Sequence, residues 1–324
     1  MRAVVCKQFG PPENLVVEEV ADPVAGVGEV LIRVRASAVT FPDTLMLENK
    51  YQYKVEVPFT PGGEVAGFVE ALGDGVTSLQ VGDRVVAGLV RNGGYAEYAV
   101  ARASAARVLP ADVGFAESTA LPYSYGTSLY GLKYRGNIQP GETLLVTGAG
   151  GNVGLSAVEI GKLLGARVIA AASTEEKLQV CRERGADETI NYSHESLKER
   201  AKELTNGTGV DVVYDCVGGE YAEQALRATA WDGRFLVIGF TAGIPSVPLN
   251  LTLLKSCQIV GVFYGAMNAR DPALSARVTS ELLGFIADRK LDPIVTGRYP
   301  LEQTGAAMRS LMDRKAVGKV VVEP

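Results

Sequence analysis

The chain has 324 residues, of which 47% are hydrophobic, and a formal net charge of −5 at pH 7. This length suggests about two domains, and the hydrophobic content is ordinary for a protein with sizeable cores. The acidic balance argues against a general nucleic-acid binder, because such proteins carry basic surfaces.

Residues 1–120 show the short, alternating apolar runs that are typical of β-strands, separated by turn sequences rich in Gly, Pro, Asn and Asp. This pattern predicts a barrel-like or sandwich-like domain. The predicted strands are Val4–Lys7, Leu15–Glu19, Glu29–Ala38, Gly67–Leu72, Arg84–Ala87 and Tyr95–Val100.

From about Ser118 the sequence changes to alternating strand and helix patterns, which fit a doubly wound parallel sheet. The predicted strands are Thr143–Thr147, Arg167–Ala172, Glu188–Asn191, Asp211–Asp215, Arg234–Gly239 and Gln258–Phe263. The predicted helices are Leu155–Leu164, Thr174–Arg184, Glu195–Leu204 and Tyr221–Ala230.

The last part of the chain contains two helical patterns, Pro272–Arg289 and Leu301–Asp313, and a final strand, Lys319–Val322. It is too short to form a domain alone, so we expect it to pack back on the first domain. The predicted organisation is therefore 1–120 for a first domain, 121–263 for a cofactor domain and 264–324 for the return.

Three features bear on cellular location. The N-terminus lacks the apolar region of a signal peptide. One uncharged run, Phe235–Leu254, is long enough to span a bilayer, but it contains glycines and prolines that favour strand–loop–helix. The four cysteines lie far apart with no CxxC pair, which indicates buried thiols in a reducing compartment (Cys6, Cys181, Cys216, Cys257). We therefore expect a cytoplasmic protein.

A glycine-rich turn in mid-chain carries the strongest functional signal. Residues 144–154 read LLVTGAGGNVG, a strand followed by G-x-x-G-x-x-G at Gly148, Gly151 and Gly154. Such a turn frees backbone N–H groups at a helix N-terminus, where they can bind a pyrophosphate. Because strands and helices alternate around it, the pattern predicts a dinucleotide site.

The end of the next predicted strand indicates which dinucleotide binds. An NAD site usually has an acidic residue there, which binds the adenosine ribose. Here the strand ends Ala172-Ser173-Thr174 without an acid. Lys177 and Tyr192, which follow nearby, could bind a 2′-phosphate. This requires Glu175 and Glu176 to point away, and it predicts NADPH rather than NADH.

The sequence does not predict a metal site. Its one histidine, His194, lies in the polar stretch NYSHES. Zinc sites need three or four Cys, His or acidic ligands in one place.

Over essentially its whole length the chain resembles the zinc-free quinone oxidoreductase (zeta-crystallin-like) branch of the medium-chain dehydrogenase/reductase superfamily. The stretches that carry this resemblance include SAVTFPDTLM (37–46), PGGEVAGFVEALGDGV (61–76), LPYSYGTSLYGL (121–132), VTGAGGNVG (146–154), GVDVVYDCVGG (209–219) and GKVVVEP (318–324). Zinc-dependent relatives carry a cysteine near position 40 and a G-H-E histidine, whereas this chain reads Val39-Thr40-Phe41 and Gly62-Gly63-Glu64.

The resemblance implies a GroES-like catalytic domain and a Rossmann domain, with NADPH in the cleft between them. It implies a diphosphate site at Gly151, Asn152 and Val153, and a 2′-phosphate site at Lys177 and Tyr192. The nicotinamide contacts would be Thr127, Phe240, Tyr264 and Lys319, and Gly148, Ser173 and Val217 complete the expected cofactor site. It also implies a homodimer that pairs through Gln258–Phe263.

The proton donor stays open in the sequence. Hydride transfer to a quinone or enone leaves negative charge on an oxygen, which needs hydrogen-bond donors. The candidates are the hydroxyls of Tyr51, Tyr53, Thr40 and Thr127, with Tyr51 first because it lies in a matched stretch. A tyrosine with an ordinary pKa near 10 is a suitable donor at neutral pH. The branch usually has asparagine at position 40, so the polar contact of Thr40 differs.

The favoured function is NADPH-dependent reduction of quinones. An enoyl reductase, acting on a 2-alkenal, enone or enoyl thioester, is the alternative in the same fold. A non-catalytic NADPH- or RNA-binding protein fits less well, because no basic, aromatic-interleaved patch is present. Membrane association has no amphipathic basic helix or lipidation motif to support it.

Overall fold

The computed structural model describes residues 1–89 and 92–324. The backbone clusters into two compact units. The first comprises Met1–Pro122 and Asp292–Pro324, and the second comprises Tyr123–Leu291.

The strands are, in chain order, β1 (Arg2–Val5), β2 (Val16–Glu19), β3 (Glu29–Val39), β4 (Glu64–Leu72), β5 (Arg84–Gly88), β6 (Tyr98–Arg102), β7 (Ala106–Val108), β8 (Thr143–Thr147), β9 (Arg167–Ala172), β10 (Glu188–Asn191), β11 (Val210–Asp215), β12 (Thr229–Val237), β13 (Gln258–Gly261), β14 (Val295–Pro300) and β15 (Lys319–Glu323).

The α-helices are α1 (Phe41–Leu47), α2 (Phe115–Ser118), α3 (Gly126–Leu129), α4 (Asn152–Leu163), α5 (Glu175–Glu183), α6 (Leu197–Leu204), α7 (Gly219–Ala228), α8 (Asn250–Lys255), α9 (Tyr264–Arg270), α10 (Pro272–Ala287) and α11 (Thr304–Met312). Helix α3 is flanked by π-helical segments at Leu121–Tyr125 and Tyr130–Arg135.

The first unit is built on a seven-stranded sheet with the order β14-β15-β3-β4-β5-β7, in which β6 also pairs with β3. The first part of β3 alternates partly exposed and buried residues, and Val30, Ile32 and Val34 point into a core of small apolar side chains. Val39 of β3 pairs with Val320 of β15, and Ser37 pairs with Val65 of β4. The end of β3 and the starts of β15 and β4 therefore lie side by side.

The second unit contains a parallel sheet with the strand order β10-β9-β8-β11-β12-β13. This is the expected doubly wound arrangement, in which the order reverses between β8 and β11. Its strands are buried on both faces, as in parallel sheets covered by helices. Ligands of such sheets bind at the carboxyl ends of the strands beside the point of reversal.

The prediction that residues 1–120 form an all-β domain was wrong, because this part of the chain also contains the helices α1 and α2. Helix α1 has a sequence signal that could have predicted it. Thr40 is its N-cap and Asp43 is its third residue, which makes a capping pattern before an apolar run. Strand β12 begins five residues earlier than predicted, because Thr229 already pairs with Val210 before a bulge interrupts the register.

The compact units divide at different positions from the expected domains. Residues 264–291, expected to return to the first domain, cluster instead with the parallel sheet. The physical reason is that α9 and α10 pack on the helical segment around α3. The ring of Tyr264 lies against Gly126, and Glu281 accepts hydrogen bonds from Lys133 and Tyr134 at 2.6 Å each. The functional domain boundaries stay a prediction.

Candidate functional site

The turn after β8 has a geometry that depends on glycine. Gly148 has φ of +64°, a conformation that other residues rarely adopt. A Cβ on Gly154 would lie 2.3 Å from the Gly148 carbonyl oxygen, so the start of α4 packs directly on the turn. Helix α4 begins at Asn152, with Gly151 as its N-cap. Its first N–H groups have no partner within the helix, which is the arrangement that the predicted anion site requires.

The turns after β8 and β11 are joined by a buried carboxylate that the sequence analysis missed. The Thr147 hydroxyl donates to Asp215 Oδ1 at 2.5 Å, and the backbone N–H groups of Val217 and Gly218 donate to the same carboxylate. Burial raises the pKa of Asp215, while these hydrogen bonds act in the opposite direction. Val217 is thereby positioned next to Gly148, where a Cβ would lie 2.9 Å from its side chain.

The end of β9 places Lys177 next to the glycine turn. A Cβ on Gly150 would lie 2.5 Å from Lys177 Cβ, so the lysine stem lies against the turn. The carboxylate of Glu175 instead points along α5 and pairs with Arg182 at 2.6 Å. Glu175, the acid nearest the strand end, is therefore directed away, which meets the requirement of the NADPH prediction for one of its two acids.

Ser173 and Tyr192 lie at the ends of the neighbouring strands β9 and β10. The Tyr192 N–H donates to the Ala172 carbonyl at 3.2 Å, and its ring packs against that of Tyr221 with centroids 4.5 Å apart. The Ser173 carbonyl accepts a hydrogen bond from the Ser193 hydroxyl. Both residues therefore lie at the same edge of the sheet as the glycine turn.

Thr127 is a buried threonine whose hydroxyl has no hydrogen-bond partner within residues 1–89 and 92–324. Five other buried threonines in or next to helices donate to a carbonyl three or four residues earlier (Thr44, Thr119, Thr205, Thr229, Thr304), and the N-cap Thr40 donates to Asp43. An unsatisfied buried hydroxyl is costly, so Thr127 is a candidate for contact with a bound ligand. The π-helical turns on both sides of α3 are also common at functional sites.

The structure brings Thr127 and Tyr264 together, because the Tyr264 ring lies on Gly126. A Cβ at Gly126 would be 2.4 Å from the ring. Phe240 lies elsewhere in this unit, against the turn at Gly218, and is 42% exposed. Thr127, Tyr264 and Phe240 were expected to contact the nicotinamide. Within this unit, Phe240 lies near the ends of β11 and β12, and Thr127 and Tyr264 lie at the α3 segment.

A second polar cluster lies in the first unit, around the buried carboxylate of Asp43. Its Oδ2 accepts hydrogen bonds from the Thr40 N–H at 2.9 Å, the Thr40 hydroxyl at 2.5 Å and the Tyr95 hydroxyl at 2.9 Å. Burial raises the pKa of Asp43, and these donors oppose the shift. Because the Thr40 hydroxyl gives its hydrogen to Asp43, its oxygen faces any further group as an acceptor. This geometry argues against Thr40 as the expected proton or hydrogen-bond donor.

Next to this cluster, Lys319 and Glu64 form a buried ion pair. Lys319 Nζ lies 3.0 Å from Glu64 Oε2, and the side chains are 1% and 6% exposed. Lys319 starts β15 and Glu64 starts β4, on either side of the end of β3. Lys319, expected at the nicotinamide, is therefore engaged with a carboxylate in its own unit.

Tyr51 lies half-buried beyond α1, with its ring 5.8 Å from that of Tyr53 in an edge-on arrangement. Burial raises the pKa of Tyr51, and the neighbouring Tyr53 and Asp43 act in the same direction. Its hydroxyl is therefore protonated at neutral pH and available as a donor.

In the part of the chain that the structure describes, no group of three or more His, Cys, Asp or Glu side chains could hold a metal ion. Over the same residues, no helix is long and apolar enough to cross a bilayer.

Two family models match parts of this chain. Residues 26–111 match the alcohol dehydrogenase GroES-like domain, and residues 152–280 match the zinc-binding dehydrogenase family. A quinone oxidoreductase-like protein 2 homolog from Nematostella vectensis is 39% identical over 99% of this chain and 88% of its own length.

Two solved structures have the same fold over their whole length. A mycobacterial protein complexed with NADPH has a TM-score of 0.93 and 34% identity, with 100% of both chains covered. The Escherichia coli quinone oxidoreductase complexed with NADPH has a TM-score of 0.92 and 30% identity, again with 100% of both chains covered.

Proposed function

Because the chain belongs to the zinc-free quinone oxidoreductase branch of the medium-chain dehydrogenase/reductase superfamily, we propose that it reduces quinones with NADPH. The observation that carries the cofactor choice is the end of β9. There the stem of Lys177 lies on Gly150, and Glu175 pairs with Arg182 instead of facing the ribose position.

The residues of the second unit fit NADPH. The N–H groups of Asn152 and Val153 would bind the diphosphate next to Gly151, whose own N–H donates to the Gly148 carbonyl at 3.0 Å. Lys177 with Tyr192 and Ser173 would bind the ribose 2′-phosphate. The unpartnered hydroxyl of Thr127 suits a polar group of the nicotinamide, beside Tyr264. Phe240, Val217 and Gly148 complete the proposed contacts within this unit.

When bound, NADPH supplies the hydride. The chain must then stabilise negative charge that develops on the acceptor oxygen, which needs a donor at that point. We assign this role to the Tyr51 hydroxyl, because Tyr51 lies half-buried beyond α1 in a stretch that carries the family resemblance. The Thr127 hydroxyl is assigned to hold the nicotinamide ring. The Thr40 hydroxyl oxygen is assigned to accept a hydrogen bond from the bound ligand.

The proposed reaction does not use zinc as a Lewis acid. Where zinc-dependent relatives have cysteine and histidine ligands, this chain has Thr40 with its neighbours and Gly63. Glu64, the remaining acid of that stretch, is paired with Lys319. These side chains provide hydrogen-bonding and ion-pairing groups instead of a soft ligand set.

Steady-state oxidation of NADPH and NADH by the purified protein tests the function. The acceptors are 1,4-benzoquinone, 9,10-phenanthrenequinone, a 2-alkenal and an enoyl-CoA. We expect turnover with quinones and a preference for NADPH. Turnover only with the alkenal or the thioester would move the protein to the enoyl reductases, and tight NADPH binding without turnover would overturn the enzymatic assignment.

The role of Tyr51 makes a separate prediction. Tyr51→Phe should lower kcat roughly 100-fold and change the KM for NADPH little, because one oxyanion donor is worth about this factor. Tyr53→Phe removes the other candidate hydroxyl of this ring pair, from a side chain that is 54% exposed, and should keep kcat if Tyr51 is the donor. A deuterated cofactor establishes whether hydride transfer limits the rate. If it does and kcat is unchanged in Tyr51→Phe, Tyr51 only lines the substrate site.

We also propose a homodimer that pairs through β13. This strand lies at the edge of the parallel sheet, and Ile259 and Phe263 are 40% and 47% exposed. An open edge with apolar side chains is suited to pairing with a second copy. Sedimentation at micromolar protein concentration distinguishes a dimer from a monomer, and a monomer would contradict the proposal.

A further inference from the structure

Two helical segments of the second unit are joined by hydrogen bonds between side chains that lie three residues apart on each segment. On α4, Ser156 and Glu159 lie three residues apart on one face. On the segment that contains α3, Tyr125 and Ser128 have the same spacing. Ser128 Oγ lies 2.8 Å from Ser156 Oγ, and the Tyr125 hydroxyl donates to Glu159 Oε2.

Glu159 is also attached to a third helix. Arg184, the C-cap residue of α5, donates to Glu159 Oε1 at 3.3 Å. The two carboxylate oxygens therefore accept from two different helical segments. The Glu159 and Arg184 side chains are 10% and 21% exposed, so this pair is shielded from solvent more than an ordinary surface ion pair.

Each attached segment carries one part of the proposed cofactor site. Helix α4 begins at the glycine turn, and Tyr125 lies two residues before Thr127. Helix α5 carries Lys177 in its first turn, where the lysine stem contacts Gly150. Arg184 thus fixes the far end of a helix whose near end lies on the turn.

We propose that Glu159 is a positioning residue that fixes the distances between the diphosphate, 2′-phosphate and nicotinamide contacts of the cofactor. The inference rests on the proposed function. The Arg184 arm sets the placement of Lys177, so it acts on affinity for NADPH. The Tyr125 arm sets the placement of Thr127, so it acts on the reacting end.

This division predicts a separation of kinetic constants. Arg184→Met should raise the dissociation constant and the KM for NADPH about 5–10-fold and leave those for NADH unchanged, because only NADPH uses Lys177 through its phosphate. Tyr125→Phe should lower kcat several-fold with both cofactors and leave NADPH affinity nearly unchanged. Glu159→Ala should show both effects. Glu159→Gln should restore part of them, since its amide can accept from Arg184 and donate to Tyr125.

A double-mutant cycle and a matched control separate positioning from general loss of stability. In the Lys177→Ala background, Arg184→Met should have no further effect on NADPH binding. Glu142→Ala breaks another partly buried ion pair of the same unit, with Arg234 at 2.6 Å, near the amino ends of the strands. It should lower the melting temperature and keep kcat and both KM values.

Dissociation constants are measured by the fluorescence of bound NADPH and NADH, so the binding arm does not depend on turnover. If wild type binds NADPH preferentially and Arg184→Met weakens both dinucleotides equally, or if Glu142→Ala reproduces the Glu159→Ala pattern, the positioning role is overturned while the proposed function stands. If wild type binds neither dinucleotide, the proposed function fails and this inference fails with it.

Discussion

The glycine turn of the second unit and the Asp43 cluster of the first are built in opposite ways. The turn consists of backbone groups from one short stretch, and its geometry follows from glycines whose Cβ would collide with neighbouring atoms. The cluster consists of side chains around one buried carboxylate, which accepts hydrogen bonds from Thr40 and Tyr95. The two regions should therefore be sensitive to different substitutions. The turn should be disturbed by added side-chain volume, and the cluster by the loss of hydrogen bonds.

The largest combined effect on stability and NADPH affinity is expected from a substitution in the glycine turn. Gly154→Ala places a Cβ 2.3 Å from the Gly148 carbonyl oxygen and 2.8 Å from Ala149 Cα, both backbone atoms. The turn must shift, at a cost of about 1–3 kcal/mol in the free energy of unfolding. NADPH affinity should fall roughly 10–100-fold, since charge-assisted hydrogen bonds are worth about 1.5–3 kcal/mol each. Chemical denaturation and NADPH titration measure the two quantities.

Gly284→Ala is the matched control for this prediction. Gly284 lies in α10, and outside its own helical turn no atom of the residues that the structure describes lies within 4 Å of the position that an added Cβ would take. Alanine there should stabilise the helix by roughly 0.5–1 kcal/mol and keep NADPH affinity. Equal losses of affinity in both variants would show that the turn is not the sensitive element.

The same contrast explains how much the sequence could predict. Gly148, Gly151 and Gly154 lie within seven residues, so spacing alone indicated the turn, and β8, β9 and β10 have their predicted bounds. The strands β8 and β9 are mainly apolar, and Gly148 directly follows the end of β8. Local pattern is enough where the site is made by local backbone.

The first unit could not be predicted in this way, because its contacts join distant residues. Tyr95 and Asp43 are 52 positions apart, and Lys319 and Glu64 are 255 apart. Only strand pairing brings such residues together, and register is a property of the folded sheet. Family resemblance indicated Lys319 but gave no indication that it pairs with Glu64. Asp215 and Glu159 were missed for the same reason.

An intermediate effect is expected in the cluster. Tyr95→Phe removes a hydrogen bond to a buried carboxylate and keeps the ring that fills the core. Such a bond is worth about 1.5–3 kcal/mol, so the free energy of unfolding should fall by that amount. Since no volume is added, NADPH affinity should be unchanged, unlike in Gly154→Ala. A loss of affinity in Tyr95→Phe without a loss of stability would reverse the comparison.

The smallest effect is the pH dependence of the loss of stability in Tyr95→Phe. Burial raises the pKa of Asp43 above 3.8 in the folded protein, so its contribution to stability is present below 3.8 and is lost as pH rises through the folded value. The Tyr95 hydroxyl opposes this shift by stabilising the ionised carboxylate. Tyr95→Phe should therefore raise the pKa of Asp43 further, and its destabilisation should grow with pH.

Urea denaturation at about pH 5 and about pH 8 measures this growth, which is worth about 1.36 kcal/mol for each unit of additional pKa shift once both values are passed. Tyr214→Phe is the matched control, because the fully buried Tyr214 hydroxyl lies 3.0 Å from the neutral Ser128 hydroxyl. Its destabilisation should be the same at both pH values. A Tyr95→Phe loss that is equally independent of pH would mean that Asp43 keeps one protonation state across this range, and that the cluster is held by neutral hydrogen bonds.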